Sequence, residues 1–219
     1  MAFSNLSLEH SSTVDRVADE LRRALFDGEV GPGTPLREVA LAEAMGVARS
    51  TIREALAVLV AEGLAVREPN RGVHVSQPDP EAVEDVCRAR IVLETAGVRR
   101  WAEASEEARD VVRRALEQLA TSAITASAAE FTAQHLAFHQ SLVGLTESPR
   151  LLAQAESLYA EIRLALAHVD RLRRNQTEQV ESHRLIVRLL EQGRIDETVA
   201  ELERHITDGA ASMLGRLTT

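Results

Sequence analysis

Two short segments with apolar residues at helical spacing, Leu36 to Met45 and Ala48 to about Glu62, are separated only by Gly46-Val47. A break that short leaves no room for a loop, so the second helix must turn sharply away from the first, as in a helix-turn-helix. Within the second segment Ile52, Leu56, Leu59 and Val60 are expected to face inward. Upstream, Val14, Val17, Ala18, Leu21 and Leu25 mark another helix, which Gly28, Gly31, Pro32 and Gly33 bring to an end. Downstream, Ala65-Val66-Arg67 and Val73-His74-Val75 flank Glu68-Pro69-Asn70-Arg71-Gly72, whose Pro, Asn and Gly suit a turn, so a β-hairpin is predicted.

Ser76-Gln77-Pro78-Asp79-Pro80 reads as a boundary, dividing residues 1–77 from 78–219, with Asp79 placed to cap the next helix and Pro80 at its first position. From there about six helices are predicted up to Leu217. Ser105, Ser148 and Asp196 are candidate caps, and Ser127-Ala-Ala-Glu130 is a capping-box pattern. Ala120 to Ser127 reads as the least structured stretch. The predicted class is mainly α: a winged helix-turn-helix with a small β wing, then an all-α bundle.

Composition narrows the function. Aromatic residues make up 3% of the 219 residues, which with abundant Ala, Leu and Val favours helix over sheet. Cys87 has no partner for an intrachain disulfide, so a reducing compartment is expected. Neither an apolar run long enough to span a membrane nor a secretory pattern in MAFSNLSLEHSS is evident, and a cytoplasmic protein is expected. The formal net charge of -9 argues against indiscriminate coating of nucleic acid. It leaves room for a local basic face: residues 49–72 carry four arginines against three acids. All basic side chains apart from histidine are arginine, the residue whose donor fork grips phosphate and guanine.

Arg49 and Arg53 lie four apart, on one helix face, opposite Ile52, Ala55, Leu56 and Leu59. With Ser50 and Thr51 near a helix N-terminus they match what a DNA major groove asks for. The rival reading is an ordinary amphipathic helix with solvated arginines. Arg71-Gly72 favours the first, because a guanidinium beside a residue without a side chain can enter a minor groove closely. The stretch Leu36 to Leu56, continuing through Leu59, Glu62, Gly63 and Leu64 to Arg71-Gly72, resembles the winged helix-turn-helix of the GntR family of bacterial transcription regulators. The resemblance implies DNA contacts from Arg49, Ser50, Thr51, Arg53 and the wing at Arg71 and Gly72. In two places the chain departs from the family. Ala48 replaces a capping serine, and Val39 stands where a phosphate-binding arginine is common, with Arg37 nearby as a substitute.

A second group of residues is His135, His139, His183 and His205. The first two are four apart. The other two are symmetric about Arg194, so in antiparallel helices each sits ~15 Å from that turn and they meet at one level. Two such pairs can converge in a bundle, where imidazoles suit zinc, nickel or copper better than calcium or magnesium; alternatively, each is an isolated half-buried histidine. His135-Leu-Ala-Phe-His139-Gln-Ser-Leu, Ser148-Pro-Arg-Leu-Leu and Ser182-His-Arg-Leu-Ile resemble the all-helical FCD effector domain of the FadR branch of that family. The resemblance implies a divalent metal, zinc or nickel, held by His139, His183 and His205, with His135 in place of an Asp or Asn. It also implies a homodimer on a palindromic operator and a small organic-acid effector. Arg90 matches a family arginine near the effector pocket; its rival role is an ion pair with Glu94. Arg171, Arg173 and Arg174 read as a solvated helix end, His10, His74 and His168 as structural or exposed, and Trp101 as a core or interface anchor.

Two further functions compete with regulation. A metal-dependent hydrolase is suggested by the paired histidines, but Leu136 occupies the place of the catalytic Glu of a zinc protease, and four histidines would close the coordination shell. A helical adaptor would leave the Arg49/Arg53 face unexplained.

Overall fold

A computed structural model describes residues 12–77, 79–172 and 176–217. They form two compact units, one ending at Ser76 and the other taking up at Gln77. The expectations for His10, Arg173 and Arg174, and for the side chains of His168 and Arg171, fall outside the described residues.

The first unit contains α1 (Thr13–Phe26), α2 (Glu38–Met45), α3 (Arg49–Ala61), β1 (Ala65–Glu68) and β2 (Gly72–Val75). Ser12 and Asp15 cap α1 reciprocally: the Asp15 amide donates to the Ser12 hydroxyl at 3.1 Å and the Ser12 amide to the Asp15 carboxylate at 2.9 Å. Its apolar stripe of Val17, Ala18, Leu21 and Leu25 is buried, as are Ile52, Ala55, Leu56 and Leu59 of α3. Gly46 ends α2 in the left-handed region at φ 64°, a conformation glycine adopts without penalty, and this makes the two-residue turn possible. Ala48 starts α3 without a side-chain cap. The strands pair antiparallel with Val66 opposite His74 and Arg67 opposite Val73. The chain before α2 also pairs with β2, the Leu36 amide donating to the Val73 carbonyl at 2.8 Å.

The second unit is a helical bundle of α4 (Pro80–Arg99), α5 (Glu106–Thr125), α6 (Ala128–Gly144), α7 (Pro149–Leu172), α8 (Gln176–Glu191) and α9 (Ile195–Leu217). Asp79, Ser105 and Ser127 accept from the amides of Glu81, Ala108 and Glu130, and so start α4, α5 and α6. α4 packs on α6, α7 and α9, and α5 on α6 and α8. Val83, Val98, Val112, Leu119, Phe131, Phe138, Leu142, Ile186, Leu190 and Leu202 form the core between them, which Trp101 joins. Gly97 sits where α4 touches the α6 backbone; a Cβ there would lie 1.9 Å from the Leu142 carbonyl oxygen.

Two expectations are corrected. Ala120 to Ser127 is not irregular: α5 continues through Thr125. Its hydroxyls turn back on the helix, Thr121 donating to the Glu117 carbonyl at 2.9 Å and Thr125 to that of Thr121 at 3.1 Å, while Leu119 and Ser122 are buried. Asp196 is not a cap but lies in the first turn of α9, and the Arg194 carbonyl accepts from the Thr198 amide and hydroxyl at that helix start.

Candidate metal centre and nucleic-acid interface

On the first unit the α3 N-terminus is exposed. Arg49 and Arg53 project from one face, with side chains 62% and 59% accessible, and both approach Glu38 in the first turn of α2. Arg53 donates to that carboxylate from Nε at 3.0 Å and Nη2 at 2.9 Å; Arg49 Nη2 lies 3.7 Å away. Arg53, then Arg49 and Arg67, hold the Glu38 carboxyl below its ordinary range, against the opposing effect of partial burial. Ser50 is exposed beside them and Thr51 half-buried. At the wing, Arg71 is 74% exposed and pairs with Glu68 at 2.9 Å, while Gly72 at φ 85° has open space beyond its Cα. Arg37, Arg67 and Arg71 line an open groove with Glu38 and Gly72, so Arg37 joins the same basic surface. No motif singles out Glu38, because its partner Arg53 lies fifteen residues away on another helix.

In the bundle, α6 carries His135 and His139, α8 carries His183 and α9 carries His205, and the structure brings all four together. One nitrogen from each lies within 4.8 Å of the others. His135, His139 and His183 are buried and His205 half-buried. Nε2 of His139 is 3.3 Å from Nε2 of both His183 and His205.

Hydrogen bonds behind the rings decide which nitrogens carry protons. His183 Nδ1 is 2.6 Å from the Gln179 carbonyl, which only accepts, so Nδ1 is protonated and Nε2 bears a lone pair. His139 Nδ1 is 2.7 Å from Glu94 Oε2. Glu94 Oε1 accepts from Arg90 Nε at 2.9 Å and from the Tyr159 hydroxyl at 3.1 Å. Burial raises the Glu94 carboxyl while Arg90 and Tyr159 pull it down. Protonating it would strand the buried Arg90 charge, so the pair stays ionised and His139 donates from Nδ1. Burial, Arg90 and His135 press His139 well below the usual histidine range. Burial does the same to His183, with His205, His135 and His139 adding to it.

Two neutral imidazoles therefore aim lone pairs at each other across 3.3 Å, an arrangement that repels unless a cation lies between them. Bonds of about 2.0–2.1 Å in a tetrahedral zinc site put neighbouring nitrogens about 3.3–3.4 Å apart, so the residues fit such an ion. Glu94, the Gln179 carbonyl and Ser182 (2.9 Å from His205 Nδ1) orient the rings as outer-shell partners do.

Arg90 is buried in the ion pair with Glu94 and lies 5.2 Å over the Tyr159 ring. Its Nε donates to Glu94, and the guanidinium also meets the Tyr159 hydroxyl. Among the described residues the buried polar atoms without a hydrogen-bond partner include Arg163 Nε, one turn along α7 from Tyr159, and both ends of the Gln179 amide, one turn before His183 on α8. Neither has a motif that could have singled it out.

Residues 13–75 match the family of bacterial regulatory proteins called GntR, and residues 85–208 match the FCD domain. The chain is 34% identical over 137 residues to a gluconate operon transcriptional repressor of Bacillus licheniformis, a match covering 62% of this chain and 56% of that protein. It therefore spans little more than half the length of that relative. It is 32% identical over 177 residues to the Nta operon transcriptional regulator of Aminobacter aminovorans, covering 80% and 82% of the two chains. Among solved structures, a GntR transcriptional regulator from Rhodococcus sp. RHA1 superposes with a TM-score of 0.73 at 29% identity, over 94% of this chain and 99% of that one. These are families of transcription regulators, not enzymes.

Proposed function

The chain belongs to the GntR family of bacterial transcription regulators, with an FCD domain, and on that premise we propose that it is a metabolite-responsive regulator. It binds a palindromic operator as a homodimer in the cytoplasm, and its DNA affinity is set by a small organic acid bound beside a histidine-held metal, zinc or nickel. The observation that carries this reading is the convergence of the His139, His183 and His205 Nε2 atoms, with two lone pairs turned inward, in the same unit as the buried Arg90.

Each part of the reading rests on named side chains. Arg49, Ser50, Thr51 and Arg53 enter the major groove, Arg37 takes phosphate, and Arg71 with Gly72 lies along the minor groove. A two-fold dimer doubles a helix that alone reads few base pairs. His135, His139, His183 and His205 hold the metal, and a bound divalent ion supplies a fixed cationic anchor for a carboxylate. Arg90 offers the acid its terminal nitrogens while Glu94 holds its other edge. Arg163 and Gln179, one turn from Tyr159 and His183 on their helices, would supply further hydrogen bonds to the acid. Arg90 lies on α4, which starts a few residues after the boundary at Gln77, so a shift of that helix on binding can reset the spacing of the two winged units.

The test uses purified full-length protein, elemental analysis for metal, and gel shift on the DNA upstream of its own gene at fixed salt. Arg49→Ala and Arg53→Ala should each weaken binding by ~1–3 kcal/mol. Relatives are named for gluconate and Nta operons, which makes D-gluconate the first acid to add. His139→Ala should bind DNA as the wild type does and lose the response to the acid. Unchanged affinity in both arginine variants, or protein that neither carries nor takes up zinc or nickel, would refute the corresponding half.

A further inference from the structure

Glu38 pairs with both arginines of the recognition helix, yet a carboxylate is out of place on a surface meant for phosphate. Its ion pair with Arg53 is exposed, and pairs of that kind contribute little to stability, so holding the fold together does not explain it. Its geometry does suggest a role. A guanidinium carries five N–H bonds. Glu38 takes Nε and one hydrogen of Nη2, the side-on edge. The remaining Nη2 hydrogen and one of the two on Nη1 form the end-on edge, which points away from Glu38 and fits the O6 and N7 acceptors of guanine.

We infer that Glu38 is a positioning and specificity-determining residue: it fixes the Arg53 fork in one orientation so that Arg53 reads a guanine instead of clamping a phosphate. This rests on the reading of α3 as the DNA-contacting helix. The charges favour a base over the backbone. A phosphate oxygen on Arg53 would bring its negative charge close to the Glu38 carboxylate, whereas the guanine acceptors are neutral. Glu38 is itself ringed by Arg49, Arg53 and Arg67, which keep it ionised and leave the surrounding surface cationic. Arg49, in the first position of α3 and 3.7 Å from the same carboxylate, is held more loosely and has no fixed fork.

The experiment selects binding sites from a pool of random duplexes, using full-length wild type, Arg53→Ala, Glu38→Gln and Glu38→Asp at one salt concentration. Circular dichroism confirms that each variant is folded. Arg53→Ala should abolish the preference for guanine at one position per half-site. Glu38→Gln, which cannot accept at both carboxylate positions, should lower that same preference at least about five-fold. Preferences elsewhere, and affinity for a duplex of unrelated sequence, should hold or rise. Glu38→Asp, too short to reach both nitrogens, should fall between. If Arg53→Ala alters no position, the assignment of Arg53 to DNA fails and takes the inference with it. If Arg53→Ala alters one position but Glu38→Gln leaves that position as in wild type, the inference alone is overturned. A parallel loss at every position would make Glu38 structural. A uniform gain in affinity with preferences intact would make it a mere competitor for the arginines. Either result overturns the proposal.

Discussion

Replacing Gly97 with alanine tests how tightly the bundle is set. The added Cβ would lie 1.9 Å from the Leu142 carbonyl oxygen, 2.8 Å from its carbon and 3.3 Å from the Val143 Cα. A close carbon–oxygen contact is about 3.3 Å, so the two helices would have to separate by about 1.4 Å. No flexible side chain can yield, because the obstacle is α6 backbone. Overpacking of one or two methylenes costs about 1–3 kcal/mol, and a backbone clash lies at or above the top of that range. Alanine's better helix propensity returns about 1 kcal/mol, so a net loss of at least about 2 kcal/mol is expected. The damage should reach the histidines. Glu94 is one turn before Gly97 on α4 and His139 one turn before Leu142 on α6, so the spacing that admits no Cβ also sets the 2.7 Å contact between them. Urea unfolding followed by circular dichroism measures the loss, and zinc titration of the folded variant measures the site. Wild-type stability together with wild-type zinc affinity would show that α4 and α6 are not in this contact.

Glu94→Gln removes the carboxylate but keeps the shape, leaving the Arg90 charge buried and uncompensated; a loss of about 3–5 kcal/mol in the same unfolding assay is expected, and a loss below 1 kcal/mol would mean the pair is solvated. In metal-free protein the two depressed histidines make stability depend on pH with a definite sign. His139 and His183 are held below their unfolded value near 6.5, so the unfolded chain binds more protons. Their contribution is complete above that pH and is lost as pH falls through it. Between pH 7.5 and 5.5 stability should fall by an amount on the order of 1 kcal/mol for each, and a flat profile measured in chelator would contradict neutral burial. Adding zinc at pH 7.5 should raise the melting temperature, and the gain should shrink at pH 5.5 as protons compete for the same nitrogens.

The parts of this structure that could be read in advance are those governed by neighbours along the chain. Gly46 allows a left-handed residue at the turn, Asn70 and Gly72 supply the positive φ of the wing, and Ser127 caps the residue three further on. The histidine pairs could be found because four residues on one helix, or equal distances either side of a turn, convert directly into position. Contacts across the bundle left no such trace. Glu94 reaches His139 over 45 residues and Tyr159 over 65, and neither distance has a period. Ala120 to Ser127, with its several Ser and Thr residues, reads as the least structured stretch. In the fold their hydroxyls satisfy carbonyls of the preceding turn, and burial of Leu119 and Ser122 holds the helix. Local preference lost to packing there. Arg90 shows why its two readings could not be separated in advance: a guanidinium has two edges, so an ion pair with Glu94 through Nε does not by itself exclude a ligand.

The charge balance of the histidine centre bears on what the protein senses. Imidazole ligands bring no negative charge to a cation, and of the groups behind them Glu94 is already matched by Arg90. A family site with an aspartate in place of His135 would cancel one unit of the ion's charge; here the full two units would stay in a buried setting, where uncompensated charge is costly. An anion is the natural remedy, and Arg90, which the Glu94 carboxylate holds on the same helix, is the candidate to meet it. Binding of metal and acid should therefore be mutually reinforcing. Each lowers the cost of burying the other, and by linkage the factor by which zinc tightens the acid must equal the factor by which the acid tightens zinc. Isothermal titration in both orders, with D-gluconate and zinc, measures the two factors. If the acid binds equally well with and without metal, the centre is a structural staple, and sensing must be sought elsewhere in the bundle.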